Sequence, residues 1–133
     1  VVGLTHTLAS RRSISFPEIM KFPLALPEST FGIRKLVDAA CHLHGIQAAI
    51  ALETNSIEAL RGFARTGAGV TMMPALSARR ELAAGSVKAL SISEPALLSS
   101  STDICVQENR DLPNVVKEFL DLARAELGRG PIS

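Results

Sequence analysis

Between residues 22 and 92, short apolar runs alternate with helix-length segments, and this alternation restricts the fold more than any other feature of the chain. Residues 22–26 read Phe-Pro-Leu-Ala-Leu and stop at Pro27, the pattern of a strand buried on both faces with Pro23 at its start. Ser29 or Thr30 has the chemistry of a helix N-cap, and Phe31, Ile33, Leu36, Val37, Ala40 and Leu43 then recur as one apolar stripe up to Gly45. Residues 48–52 make a second apolar run, followed by the polar turn Glu53-Thr54-Asn55-Ser56. Asn55 and Glu58 stand at capping-box spacing, Ile57, Leu60, Phe63 and Ala64 form the inner face of a second helix, and Gly67-Ala68-Gly69 stops it. A third strand is expected over 70–73 with Pro74 at its end, then a short helix over 76–82 finishing near Gly85, then a fourth strand over 87–92. Strands separated by helices cannot form hairpins, so parallel pairing through right-handed crossovers is expected, in a three-layer α/β unit.

The flanks follow a different rhythm. Residues 93–101 are loop-like, and 94–101 are a candidate crossing between subdomains; a strand is expected over 102–107 and a helix from an Asp111 cap to residue 127, closed by Gly128. The tail 129–133 has little to hold it. Residues 1–20 hold one apolar start and then a polar stretch carrying Ile14, Phe16, Ile19 and Met20, and the two flanks are expected to pair as a second, smaller lobe. No repeat or low-complexity tract occurs beyond the serine run 99–101.

Composition narrows the function. An apolar fraction of 47% in 133 residues is enough for one buried core without disulfides or metals. The net charge of +1 arises from scattered residues with no basic cluster denser than Arg11-Arg12 or Arg79-Arg80, and Trp and Tyr are absent, so neither phosphate contact nor base stacking has a footprint. The chain is not expected to read nucleic acid by itself. Cys41 and Cys105 stand far apart outside any C-x-x-C pair, as buried thiols of a reducing compartment would. No apolar stretch reaches the ~20 residues of a membrane span and no leader-like segment opens the chain, which makes the cytoplasm the expected location.

Catalysis requires a nucleophile beside a base, paired carboxylates or metal ligands, and the sequence offers none of these at useful spacing. His42 and His44 lie two apart on a helix, which turns them in different directions, so they read as partly exposed helix residues rather than a metal pair. Gly67-Ala68-Gly69 precedes a strand, whereas a phosphate loop opens a helix, so it is a turn. Neither G-x-S-x-G nor H-E-x-x-H occurs, and Cys105 has no neighbouring base. No catalytic residue, metal or cofactor is therefore expected, and the chain reads as something other than an enzyme. Polar groups remain at the C-terminal ends of the expected parallel strands, the edge where open α/β sheets bind ligands: Pro27-Glu28-Ser29-Thr30, Glu53-Thr54-Asn55-Ser56 and Met73-Pro74-Ala75. Helix capping alone would put Ser, Thr and Asn at such positions, but three such loops on one edge favour a cleft.

Leu4-Thr5-His6-Thr7-Leu8-Ala9-Ser10-Arg11 resembles the H-P-L-A tract of LysR-type transcriptional regulators, with Thr7 in place of the proline, and residues 14–22 resemble the segment that follows it. The turn and helix at 52–60, the run Gly67-Ala68-Gly69-Val70-Thr71-Met72-Met73-Pro74 and Glu81-Leu82-Ala83-Ala84-Gly85 before a strand are similar to that family in order and spacing across nearly the whole chain. The resemblance implies the effector-binding domain, with a fold like type II periplasmic binding proteins: two three-layer α/β subdomains joined by crossing strands, a small effector between them, and a dimer or tetramer in the full-length regulator. It implies an N-terminally truncated fragment, 1–133, in which 22–92 form the complete second subdomain and 1–21 and 93–133 are parts of the first subdomain and crossing strands. DNA would be bound only through a separate winged helix-turn-helix domain, and no membrane is involved. Position by position it points to Ser29, Thr30, Thr54, Asn55, Met73 and Pro74 as effector contacts, and this mixture suits a small polar metabolite or an anion, provided Glu28 and Glu53 point outward. A periplasmic-type solute-binding protein shares the fold and is the alternative, though it needs an export signal and lacks the H-P-L-A-like tract.

Overall fold

Leu24, Ala25 and Leu26 are completely buried, as expected of a strand with helices over both of its faces. The structure is a computed structural model and describes residues 1–98, 104–107 and 111–127. Two compact units divide the chain, Val1–Ser100 and Ser101–Ser133. The first runs through β1 (Val2–Gly3), a 3₁₀ turn (Thr7–Ser10), β2 (Ser13–Ser15), α1 (Phe16–Ile19), β3 (Leu24–Pro27), α2 (Gly32–His44), β4 (Ile50–Thr54), α3 (Ile57–Thr66) and β5 (Val70–Thr71). It continues through a second 3₁₀ turn (Ala75–Ala78), α4 (Arg79–Ala83), β6 (Val87–Lys88), β7 (Ser91–Ser93) and α5 (Pro95–Leu98).

The main sheet has the order β4-β3-β5-β1-β6. β3 pairs in parallel with β4 and β5, whereas β1 runs antiparallel to both β5 and β6. The sheet is therefore mixed: the expected parallel pairing holds for its first three strands only. Stepping from β3 outward to β4 and back across β3 to β5 reverses direction, so right-handed crossovers place α2 and α3 on opposite faces. The buried residues agree. Val37, Ala40 and Cys41 of α2 join the cluster of Leu24, Leu26, Val70, Phe16 and Ile14, while Leu60 and Ala64 of α3 are buried outside it.

β1 lies inside this sheet, so residues 2–3, expected among the flanking remnants, belong to the same sheet as 24–71. The expected fourth strand is two strands: β6 closes the main sheet, and β7, after a step at Ala89 and Leu90, pairs in parallel with β2 in a separate ribbon. The expected loop over 93–101 begins as a strand end and the short helix α5. Glu94, buried between them, lies 2.8 Å from His44 Nε2, a hydrogen-bonding contact that ties the end of α2 to α5, and the His44 ring stacks on Phe16. Leu43, counted in the apolar stripe, is 76% exposed because the stripe outruns the surface that covers it. Helix α2 begins at Gly32, so neither Ser29 nor Thr30 caps it; α3 is capped by Ser56 rather than Asn55.

The two glycines of Gly67-Ala68-Gly69 serve different ends. Gly67 ends α3 at φ 72°, a left-handed conformation that L side chains rarely adopt. A Cβ on Gly69 would overlap the Pro23 carbonyl oxygen and press on the Phe63 ring, so its lack of a side chain lets β5 seat against the start of β3 and against α3.

In the second unit α6 (Asn114–Leu127) starts after Pro113, and Asp111 lies outside the capping position. Val115, Phe119 and Leu122 are exposed along it at helical spacing. Residues 104–107 carry no strand, and Cys105, expected to be buried, is exposed; Cys41 is buried as expected. The start of the strand expected over 102–107, the serine run 99–101, Gly128 and the tail 129–133 lie outside the described residues.

Candidate ligand cleft

Where the chain reverses its direction across a parallel sheet, helices leave adjacent strand ends for opposite faces and leave a crevice between them. Here β3 ends at Pro27, β4 at Thr54 and β5 at Thr71, two residues before Met73, and a cavity of about 250 Å³ opens over those three ends. Its lining comes from Pro27 of β3, from Phe31, Gly32 and Ile33 at the start of α2, and from Thr54 and Asn55 after β4. Ile57 and Leu60 of α3, with Met73, Pro74 and Ser77, complete it. A neighbouring cavity of about 220 Å³ shares Ile33, Met73 and Pro74 and reaches Leu90, Ile92 and Leu97.

Four of the six residues that the sequence picks out, Thr54, Asn55, Met73 and Pro74, thus meet in one place although up to 20 positions separate them. Ser29 and Thr30 lie on the exposed turn before α2 and outside the lining. Phe31, Ile33, Ile57 and Leu60 were legible only as core positions of amphipathic helices. An apolar residue in the first turn of a helix that leaves a strand end is the signal that marks them, because that turn faces the crevice.

Local hydrogen bonding explains which polar groups are available. Ser56 Oγ accepts from Ala59 N at 3.2 Å and caps α3, and Thr54 Oγ1 accepts from Ser56 N at 3.1 Å. The capping-box role expected of Asn55 is thereby taken by its neighbour, and Glu58 turns instead to Arg61 and Arg65. The hydrogen bond from Arg65 is the main reason the Glu58 carboxyl sits below its ordinary pKa. At the start of α2 the N-cap is Phe31, which supplies no side-chain acceptor.

Two guanidinium groups flank the cavity and both are engaged by carboxylates. Arg34 donates to the Pro27 carbonyl at 3.1 Å, to Asp38 at 2.9 Å and to Glu53. Its hydrogen bonds to Glu53 and Asp38 raise its pKa further. Glu53 therefore points at Arg34 and away from the cavity, and Glu28 is absent from the lining. Arg61 donates to the Ser77 carbonyl at 2.8 Å and lies 3.4 Å from Glu58 and 3.6 Å from Glu81.

The sequence model of the family described as the LysR substrate binding domain matches residues 1–128. The chain belongs to that family. Among solved structures, the effector binding domain of QuiR in complex with shikimate is 26% identical, with a TM-score of 0.67 over 98% of this chain and 61% of that one. The Synechocystis PCC6803 CcmR regulatory domain in complex with 2-PG gives a TM-score of 0.73 at 20% identity over 98% of this chain and 62% of that one. HinK, a LysR family transcriptional regulator from Pseudomonas aeruginosa, gives 0.68 at 21% identity over 95% and 43%. This LysR domain thus spans less than two thirds of each of those chains. Its fold is the periplasmic-binding-protein-like type II α/β fold of the family, as the sequence resemblance implied.

Domains of this family are regulatory. Among the described residues no group of three or more His, Cys, Asp and Glu side chains could hold a metal ion, and no helix is long and apolar enough to cross a membrane.

Proposed function

We propose that this chain is the greater part of the effector-sensing domain of a LysR-type transcriptional regulator, acting in the cytoplasm as a dimer or tetramer. In this reading a separate winged helix-turn-helix domain binds DNA, the main sheet with its helices, β1 included, forms the second subdomain up to β6, and the β2–β7 ribbon with the remaining flanks belongs to the crossing strands and the first subdomain. The cavity over the ends of β3, β4 and β5 supports it most directly, since it gathers Thr54, Asn55, Met73 and Pro74 at the reversal point of the sheet in a chain of this family. A small effector held there binds one subdomain arrangement more tightly than another, and that difference in affinity shifts the regulator on its operator.

A small polar metabolite or an anion fits the start of α2. Its first backbone N–H groups have no side-chain acceptor and carry the positive end of the helix dipole, and Glu53, which would repel an anion, is turned towards Arg34.

The test is a thermal-shift screen of the full-length regulator against metabolites, with operator affinity scored for each hit. An effector at about a hundred times its Kd stabilises by roughly 2.7 kcal/mol and changes operator binding. Asn55→Ala is the informative variant because Asn55 does not cap α3, whereas Thr54 also supports the turn. It should weaken the effector about tenfold and leave the unliganded melting temperature unchanged. An unaltered operator response in Asn55→Ala would remove the cavity from the sensing mechanism, and stabilisation without any effect on DNA would favour a solute-binding protein.

A further inference from the structure

We infer that the wall of the cleft built by this chain receives an uncharged apolar body of the effector, a ring or branched chain of ring size, and gives it no side-chain charge to pair with. This inference rests on the effector-sensing reading and adds the class of ligand.

The lining supplies the first reason. Phe31, Ile33, Ile57, Leu60, Met73 and Pro74 surround most of the cavity, and they come from three elements that leave the sheet edge separately. An apolar cavity of about 150 Å³ stays dry and takes benzene; this one has about 250 Å³, room for a six-membered ring and a substituent. Phe31 is 38% exposed and Ile57 44% exposed, which are large apolar groups left uncovered at one spot on the domain. A ring-sized apolar body would cover both and gain about 25 cal/mol for each Å² removed from water.

Charge supplies the second reason, independently. The two arginines whose guanidinium groups abut the cavity walls are each committed to a backbone carbonyl of a lining residue, Arg34 to Pro27 and Arg61 to Ser77. Each also faces two carboxylates, Asp38 and Glu53 for Arg34, and Glu58 and Glu81 for Arg61. A ligand carboxylate or phosphate would have to displace one of those acidic partners to win a bidentate pair, at the cost of leaving the displaced acid without its guanidinium. Selectivity at this wall is accordingly set by shape and apolar contact, and the polar end of the effector is recognised by backbone N–H groups, Asn55 and whatever faces this wall.

The full-length regulator, with its methionine and isoleucine methyl groups isotopically labelled, allows a direct test by NMR. Met73, Ile33 and Ile57 report on the cavity, and the buried Met20, which is not part of its lining, serves as a control. Benzyl alcohol should shift the three cavity methyls saturably and at lower concentration than either acetate or inorganic phosphate. Ile57→Ser, at an exposed first-turn position of α3, should weaken benzyl alcohol about tenfold while Ile57→Val retains it. Acetate or phosphate shifting these methyls at lower concentration than benzyl alcohol would overturn the inference and leave the cavity as the sensing site. Benzyl alcohol that leaves them unmoved also overturns it. Failure of the sensing reading is read separately: molecules that alter operator affinity would then leave all three methyls in place.

Discussion

Helices α2 and α3 begin on the same rim of the cleft and are finished in opposite ways. The first turn of α3 is closed within itself, with Ser56 on Ala59 N, Thr54 on Ser56 N, and Glu58 tied to Arg61 and Arg65. That of α2 opens on the Phe31 ring and on Gly32, without a side-chain cap, while Arg34 a little further along pairs with Asp38 and turns Glu53 away from the cavity. The contrast separates two uses of a helix start. A capped start anchors the chain; an uncapped start leaves backbone donors and an apolar ring facing the cleft, at the loss of about 1 kcal/mol that a cap would contribute.

The largest effect is expected where the α3 side is anchored. Gly69→Ala puts a Cβ into the Pro23 carbonyl and the Phe63 ring and should destabilise the domain by about 3 kcal/mol in urea unfolding. A loss below about 1 kcal/mol would mean that α3 can slide to relieve the overlap, and that its half of the cleft is not the fixed half.

Next in size is the pair that tests the contrast itself. Ser56→Ala removes the α3 cap and should cost about 1 kcal/mol, whereas Phe31→Ser adds a cap to α2 and should leave stability unchanged or raise it by up to about 1 kcal/mol while weakening binding in the cavity. Equal destabilisation by both substitutions would erase the distinction drawn between the two starts.

A third start, the 3₁₀ turn at Thr7–Ser10, sharpens the comparison through pH. His6 caps it, with Nδ1 accepting from Leu8 N at 3.1 Å and its ring edge-on to Phe22. Burial lowers the His6 pKa below its ordinary 6.5. As pH falls through 6.5 the unfolded chain therefore takes up this proton before the folded one, so the contribution is complete above 6.5 and declines below it. His6→Asn keeps an acceptor without the titration and should flatten that part of the urea-midpoint profile between pH 7.5 and 5.5; an unchanged slope would assign the acid sensitivity to another group.

The local elements were legible because their signals are local. Strand β3, the left-handed Gly45 and Gly67 at helix ends, and the helices after residues 31 and 56 follow from periodicity and punctuation within a few residues. The α3 cap falls one position from the expected one because Asn55 and Ser56 are chemically equivalent candidates, whereas α2 starts beyond both Ser29 and Thr30, on Phe31, which has no capping side chain and which cap chemistry therefore does not mark. Four of the six expected cleft residues line the cavity for the same topological reason that made their loops recognisable: the ends of parallel strands share one edge.

Sequence alone determined an α/β unit with parallel strands joined by helices, the edge on which a cleft opens, and the resemblance to the family. Tertiary structure alone decided that β1 inserts antiparallel into the same sheet, that 87–92 divide between two sheets, and which way Arg34, Glu53 and Phe31 face. Those outcomes depend on partners far along the chain: Val2 pairs with Val70 and Lys88, and Arg34 of α2 reaches Glu53 on β4. Hydrophobic period and turn chemistry act over a few residues, while strand order and ion pairing are set by whatever the folded backbone brings within reach.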